Sequence, residues 1–169
     1  MTPEERRMFV SGHRTAVFGY QRRKDGPALS IVYYVMGDND TILVSTMRAR
    51  AKANAVLRSP KVSLCVLDEQ WPPTYLQVYC DAEIDTDEEH TVDVMMAIAA
   101  VMAGKPLDEA VRPLVAQGAK KEDRIVLRLR PYATFETPPR HVHDESDVNA
   151  SLTHWASASV PWNADVAAS

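Results

Sequence analysis

The sequence has few cysteines, no long apolar run and no excess of basic residues, which argues against several classes of protein. Its two cysteines, Cys65 and Cys80, both lie inside apolar runs of a 169-residue chain, so we expect buried, reduced thiols. No apolar run approaches the roughly 20 residues that a membrane-spanning helix needs. The amino-terminal stretch MTPEERRMF is charged, so we predict no signal peptide and a cytoplasmic protein. A net charge of -4 argues against nucleic-acid binding, which usually needs a basic surface.

The cations are nevertheless clustered. Arg22, Arg23 and Lys24 follow one another directly, and a second group of cations is spaced two residues apart from Arg48 to Lys52. A mildly acidic protein with local basic clusters suits a small anionic ligand better than a polyanion. The first cluster is either the solvated tip of a hairpin or an attractor for an acidic part of a ligand.

The second cluster lies in the most informative segment, residues 41–66. A β-like run, Ile42 to Val44, ends in two hydroxyl residues, and the cations then lead into a short alanine-rich helix that Pro60 stops. The free N–H groups and the dipole of a helix amino-terminus attract an anion, and the cations neutralise it. The alternative for the hydroxyls is that they only cap the helix. The candidate phosphate-binding residues are Ser45, Thr46, Arg48, Arg50 and Lys52. A solvated position on the helix surface explains Arg48 equally well.

The remaining pattern predicts an α+β fold, a predominantly antiparallel β-barrel of six strands with inserted helices. The first three strands have hairpin-length links, which predict an antiparallel meander. The stripe of methionines in the helix from Asp87 to Ala103 is interpreted as core packing. We assign residues 1–137 to the barrel and residues 138–169 to an extended tail with isolated tryptophans. The predicted strands cover residues 15–20, 29–36, 41–45, 62–67, 75–84 and 124–130.

The order of these pieces resembles the pyridoxamine 5'-phosphate oxidase-like family of FMN-binding split barrels. It is most similar to the flavin- and deazaflavin-dependent oxidoreductase branch. The matching segments are Asp25-Gly26-Pro27, Val32-Tyr33-Tyr34, Val44-Ser45-Thr46, Arg50-Ala51-Lys52, Leu57 to Val62, and Arg124-Ile125-Val126.

The resemblance implies a homodimer that holds coenzyme F420 or FMN in grooves between the subunits. It places the cofactor phosphate at the segment from Ser45 to Lys52, and the cofactor ring beside the strand that carries Tyr33 and Tyr34. These tyrosines, like Trp71, are otherwise explained as core residues. The implied function is hydride transfer to or from a small organic substrate. The cofactor performs the chemistry, so no catalytic residue is assigned.

The carboxyl-terminal tail departs from the family. The segment Pro139 to Asp144 lacks the basic and aromatic motif that grips the substrate of true pyridoxamine phosphate oxidases, so we do not expect that activity. The alternative function is a non-catalytic flavin- or haem-binding barrel, in which a tail histidine would be the iron ligand. His141 and His143 are too few for a metal site on their own, and none is predicted.

Overall fold

The structure is a computed structural model that describes residues 1–70, 74–137 and 159–164. These residues form four helices and eight strands, with short 3-10 turns at Asp38–Asp40 and Glu109–Val111. The helices are α1 (Pro3–Gly12), α2 (Ala51–Arg58), α3 (Glu88–Ala103) and α4 (Arg112–Lys121). The strands are β1 (Thr15–Tyr20), β2 (Ala28–Tyr33), β3 (Val35–Met36), β4 (Ile42–Met47), β5 (Lys61–Asp68), β6 (Thr74–Asp85), β7 (Arg124–Thr137) and β8 (Val160–Pro161).

All strand pairs are antiparallel, and the strand order is β2-β1-β5-β6-β7-β4-β3, with β8 added beside β7. The predicted α+β barrel with inserted helices is therefore confirmed, with two more strands than the sequence indicated. One extra strand arises because the run from Leu29 to Met36 breaks at Tyr34 into β2 and β3. The other, β8, comes from the segment that the sequence assigned to the tail.

The predicted antiparallel meander of the first three strands is confirmed in part, because the end of the predicted second strand, Val35–Met36, pairs antiparallel with Leu43 and Ile42 of β4. β1 and β2 do form a hairpin, but β4 pairs along its length with β7, where Ser45 faces Val126. The apolar residues Ile42 and Val44 on β4 join the same core as the inner face of β7, which explains this long-range pairing. β2 and β4 come within 8 Å of each other between Cα atoms without pairing, and this leaves a split in the barrel.

The core lies inside the curled sheet. Ile125, Leu127 and Leu129 are fully buried there, as the alternation in the sequence predicted. Val126 points the opposite way and packs with Leu43 under α3. Helix α3 ends at Gly104, whose φ of 67° is the left-handed cap conformation that the sequence indicated. Packing of Val94 against Leu43 and Val126 holds α3 on the outer side of the sheet, next to the split.

The amino- and carboxyl-terminal segments hold each other. Thr2 caps α1 in a reciprocal pair with Glu5, and Arg6 on the same helix is fully buried. Arg6 Nη1 donates to the carbonyls of Pro161 (3.4 Å), Trp162 (2.8 Å) and Ala164 (2.7 Å).

Trp162 is 2% exposed and donates through Nε1 to Asp40 Oδ2 at 3.1 Å. The expectation that this tryptophan is isolated in an extended tail is therefore wrong, because its ring joins the core and residues 159–164 pack on the barrel. Trp71, Trp155, His141 and His143 lie outside the described residues, and the division of the chain at residue 137 stays a prediction.

Within residues 1–70, 74–137 and 159–164, none of the helices has the length and apolar character needed to cross a bilayer.

Candidate functional site

Strand β4 leads the chain to an uncapped helix amino-terminus. Arg50 is the N-cap residue of α2, and its side chain makes no capping hydrogen bond. The first-turn N–H groups of α2 therefore remain available to an external acceptor, at the positive end of the helix dipole. Ser45 and Thr46 belong to β4 instead of the cap, so the alternative that they cap this helix is wrong.

A cavity of about 590 Å³ opens beside this helix end, in the split between β2 and β4. Its walls come from β1, β2, β4, the start of α2, one side of α3 and the first residue of β7. The structure thus brings most of the predicted phosphate segment to one cavity. The lining residues are Tyr20, Ser30, Ile31, Val32, Tyr33, Ser45, Thr46, Met47, Arg50, Ala51, Lys52, Met95, Ile98, Ala99, Met102 and Arg124.

One end of the cavity is cationic. Arg50, Lys52 and Arg124 all line it. Burial lowers the pKa of Lys52, and the charges of Arg50 and Arg124 lower the pKa further. Arg124 donates to Glu122 at 2.7 Å, whereas neither Arg50 nor Lys52 has a carboxylate partner in the described part of the chain. The repulsion among these cations is relieved when an anion binds between them.

Two hydroxyls in the cavity lack hydrogen-bond partners among the described residues. The Oγ atoms of Ser30 and Ser45 are buried, and neither makes a hydrogen bond within the described residues. Thr46 lies next to Ser45 and is 4% exposed. A buried hydroxyl without a partner costs free energy, so both serine hydroxyls fit a site whose partner is a ligand.

The other wall is apolar and comes from α3. Met95, Ile98, Ala99 and Met102 line the cavity, whereas Met96 and Val92 pack against α4. The interpretation of the methionine stripe as core packing is therefore right for Met96 and wrong for Met102, which is 53% exposed. Unbranched methionine side chains adapt to flat ligand surfaces of different shapes.

The two tyrosines of the predicted ring-binding strand have different surroundings. Tyr33 lines the cavity at the end of β2. Tyr34 is 2% exposed in the core, and its hydroxyl donates to the carbonyl of Val10 at 2.6 Å. Burial raises the pKa of the Tyr34 hydroxyl. The structure brings Tyr33 to the site. Tyr34 is a core residue, which was the alternative to ring binding for both tyrosines.

Arg48 also lies away from the cavity. Its backbone N–H donates to the Asp123 carbonyl at 2.9 Å, and its Nε lies 3.1 Å from the Asp123 carboxylate. Asp123 has a φ of 48°, so this pair fixes the tight turn that enters β7. Arg48 lines a separate cavity of about 380 Å³ between α3 and α4. Of the two explanations for this cation, phosphate binding and a solvated position, the structure favours the solvated position, because the Arg48 side chain is about half exposed.

The first cationic cluster lies at an exposed hairpin tip. Arg22 pairs with Asp25 at 2.9 Å, and neither residue lines the cavity. This position agrees with the simpler of the two explanations for the cluster, that it is the solvated tip of a hairpin.

Sequence reasoning missed Arg124 and Ser30. Arg124 reaches the site because it pairs with Met47, the last residue of β4. The alternation in β7 already put Arg124 on the face opposite Ile125, but the pairing of β7 with β4 is a long-range contact that a local pattern does not reveal.

The fold and the cavity together define a split-barrel protein whose cavity has a cationic end and an apolar wall. The chain belongs to the pyridoxamine 5'-phosphate oxidase family, whose sequence profile matches residues 2–137. This confirms the resemblance that the strand and helix motifs indicated.

Solved structures show the same fold in proteins of different kinds. A conserved hypothetical protein from Mycobacterium tuberculosis is 22% identical, with a TM-score of 0.71, over 86% of this chain and 94% of that one. An F420 reductase is 23% identical, with a TM-score of 0.57, over 72% of this chain and 89% of the reductase. The haem storage protein HutZ from Vibrio cholerae is 19% identical, with a TM-score of 0.57, over 80% of this chain and 94% of HutZ. At these identities the likeness concerns the fold alone, and no curated protein sequence matches this chain significantly.

Proposed function

We propose that the cavity binds coenzyme F420 or FMN and that the protein is an oxidoreductase dependent on that cofactor. The observation that carries this proposal is the cluster of Arg50 and Lys52, which have no carboxylate partner among the described residues, beside an uncapped helix amino-terminus. A cofactor phosphate at this end would neutralise the cluster and accept from the first-turn N–H groups of α2.

The shape and lining of the cavity fit the rest of such a cofactor. A volume of about 590 Å³ lies within the usual range for small-molecule sites, about 300–1,000 Å³. Ile31, Tyr33 and the α3 wall supply apolar surface for a flat ring. The hydroxyls of Ser30 and Ser45, which have no partner among the described residues, supply hydrogen bonds to the polar atoms of the cofactor.

The roles of the cofactor and of the protein side chains follow from this lining. When bound, a flavin or deazaflavin supplies hydride transfer to or from a small organic substrate. Arg50, Lys52 and Arg124 hold the anionic end, and the walls from β2 and α3 orient the ring and exclude water. The proposal does not extend to pyridoxamine phosphate oxidation, because the carboxyl-terminal segment that would grip that substrate departs from the family motif.

A second copy of the chain is part of the proposal. On the edge strand β2, Leu29 is 70% exposed and Ile31 is 75% exposed, and Ile31 also lines the cavity. We propose that these side chains are covered in a homodimer, which acts in the cytoplasm and completes the substrate side of the site.

The homodimer is tested by light scattering of Leu29→Asp. This change is expected to produce monomers, whereas Leu114→Asp, at an equally exposed position on α4, is expected to leave the mass unchanged. Wild-type protein that is monomeric at micromolar concentration would contradict the homodimer.

The cofactor assignment is tested by fluorescence titration of the purified protein with FMN and, separately, with coenzyme F420. Arg50→Ala and Lys52→Ala are each expected to weaken binding by at least ~1.5 kcal/mol, the scale of one charge-assisted contact. Arg58→Ala is the matched control, since Arg58 is an exposed cation at the far end of α2 that bonds to the Asn54 carbonyl. Unchanged affinity in both test variants would remove the phosphate assignment.

The alternative is a split barrel that binds its ligand without catalysis. It is supported by the fold shared with a haem storage protein. A Soret band on addition of haemin, with no flavin or deazaflavin binding, would favour this alternative. Turnover of reduced cofactor in the presence of an electron-poor acceptor would favour the oxidoreductase.

A further inference from the structure

Two lysines of this molecule, Lys52 and Lys61, have opposite surroundings. Lys61 Nζ lies 2.7 Å from Asp81 Oδ1, and the hydrogen bond to this carboxylate raises the pKa of Lys61. Lys52 lines the cavity, and its Nζ lies 5.9 Å from the centre of the buried Phe18 ring. Lys61 is therefore an ordinary surface ammonium, whereas Lys52 lies beside apolar surface with no counter-ion in the described part of the chain.

The charges that face Lys52 are positive. Arg50 at the start of α2 and Arg124 at the start of β7 line the same cavity, and no carboxylate of the described residues lines it. Burial lowers the pKa of Lys52, and repulsion from these two cations lowers it further. A desolvated lysine amine beside other cations loses its proton more readily than an ordinary lysine, and the neutral amine is a nucleophile.

The cationic end restricts the electrophile that such an amine would accept. An anionic electrophile would restore the proton of Lys52, because its charge favours the ammonium. An aldehyde or an acyl donor would give an imine or an amide, which supplies no anion to Arg50 and Arg124. Carbon dioxide is small and uncharged, and its adduct with an amine carries a carboxylate group, which guanidinium groups bind well.

We propose that Lys52 is a modification site, at which carbon dioxide adds reversibly to the side-chain amine and forms a carbamate that Arg50 and Arg124 stabilise. The Nζ lone pair forms the new N–C bond, one C=O electron pair moves onto oxygen, and one N–H proton passes to water. Nothing is oxidised or reduced, and no further reactant is needed. The inference goes beyond the proposed function, because the modification requires no cofactor.

The modification has a consequence for any anion that binds in the cavity. It replaces the positive charge of Lys52 with a negative charge, and the new carboxylate occupies the neighbouring cations. The carbamate and an external phosphate therefore exclude each other, so that carbon dioxide competes with ligands of the cationic end.

The first test is nuclear magnetic resonance of the purified protein in an excess of isotope-labelled bicarbonate. Wild type and Lys61→Arg are expected to give a carbamate resonance that is lost in Lys52→Arg. Arginine keeps the positive charge at this position and stays protonated, so it forms no carbamate. Spectra of wild type and Lys52→Arg with the same carbamate resonances would overturn the inference.

A second measurement needs no substitution. The carbamate is trapped as an ethyl ester with a triethyloxonium salt, and the modified peptides are identified by mass spectrometry. The label is expected on Lys52 and not on Lys61, and an excess of inorganic phosphate is expected to abolish it. Equal labelling of the two lysines, no label on Lys52, or labelling that phosphate leaves undiminished would each overturn the inference.

The same samples separate this inference from the proposed function. Binding of FMN or coenzyme F420 by a protein whose Lys52 takes no label would overturn the inference and leave the proposed function intact. A label on Lys52 in a protein that binds neither cofactor would support the inference and contradict the proposed function.

Discussion

One buried cation at the chain termini and a pair of cations in the cavity have opposite surroundings. Arg6 on α1 is fully buried, and its Nη1 alone donates to three carbonyls of residues 161–164. Its Nε and Nη2 make no hydrogen bond within the described residues, so the contact depends on one nitrogen. Arg50 and Lys52 face a cavity and have no carboxylate partner among the described residues.

The difference separates a structural cation from the cations that we propose bind a ligand. Arg6 donates through Nη1 to carbonyls of its own chain, so the folded state uses its guanidinium as a hydrogen-bond donor. In the cavity the folded state disfavours the charge of Lys52, whose pKa is lowered by burial and by neighbouring cations. An anion bound between these cations would offset their mutual repulsion.

The largest expected effect is on stability and concerns Arg6. Arg6→Ala removes the donor for three carbonyls and leaves a cavity in the core, so the free energy of unfolding is expected to fall by about 3 kcal/mol. The measurement is urea denaturation followed by circular dichroism. Arg7→Ala is the comparison, because Arg7 bonds to Asp40 and Asn163 at 2.6 Å but its side chain is 38% exposed. A loss in Arg7→Ala equal to that in Arg6→Ala would contradict the special role of the buried cation.

The next effect is on affinity and concerns Arg124. Arg124→Ala is expected to weaken cofactor binding about 10-fold, the scale of one charge-assisted hydrogen bond, with little change in stability. Arg130→Ala is a matched control on the same strand, since each arginine loses one surface ion pair, with Glu122 or with Glu83. If both variants bind the cofactor alike, Arg124 is not part of the anion site.

The smallest effect is a dependence on pH that comes from Lys52. A bound phosphate favours the charged ammonium, so affinity is expected to decrease a few-fold as pH rises above the lowered pKa of Lys52. The stability of the free protein has the opposite sign. The unfolded chain holds this proton more tightly than the folded chain, so the Lys52 contribution to stability rises with pH between the lowered pKa and 10.5.

Titrations from neutral pH up to the ordinary lysine pKa of 10.5 check both signs. Lys52→Arg is the control, because arginine stays charged throughout this range. A pH profile in Lys52→Arg identical to that of the wild type would assign the dependence to another group.

The sequence predicted the parts of this account that depend on local pattern. The alternation in β7, the Gly104 cap of α3 and the helix that begins after Arg50 each depend on neighbouring residues, and each was confirmed. Most of the cationic segment also lies at a cavity. That it binds a phosphate there stays a prediction.

The sequence did not predict what long-range pairing decides. Arg124 reaches the cavity through the register of β7 on β4, and Ser30 through the close approach of β2 and β4 across the split. The sequence pattern predicts an isolated Trp162, because its contacts with Asp40 and Arg6 join residues more than 100 positions apart. Such contacts leave no periodic pattern along the chain.

The most direct measurement follows cofactor affinity and stability together in the double variant Arg50→Ala Lys52→Ala. The account expects FMN or coenzyme F420 to bind about 100-fold more weakly than to the wild type, since two charge-assisted contacts are lost. It expects the free energy of unfolding to stay equal or to rise, because repulsion with Arg124 is removed. Affinity within about threefold of the wild type, or a loss of stability like that of Arg6→Ala, would contradict the assignment of these cations to a ligand.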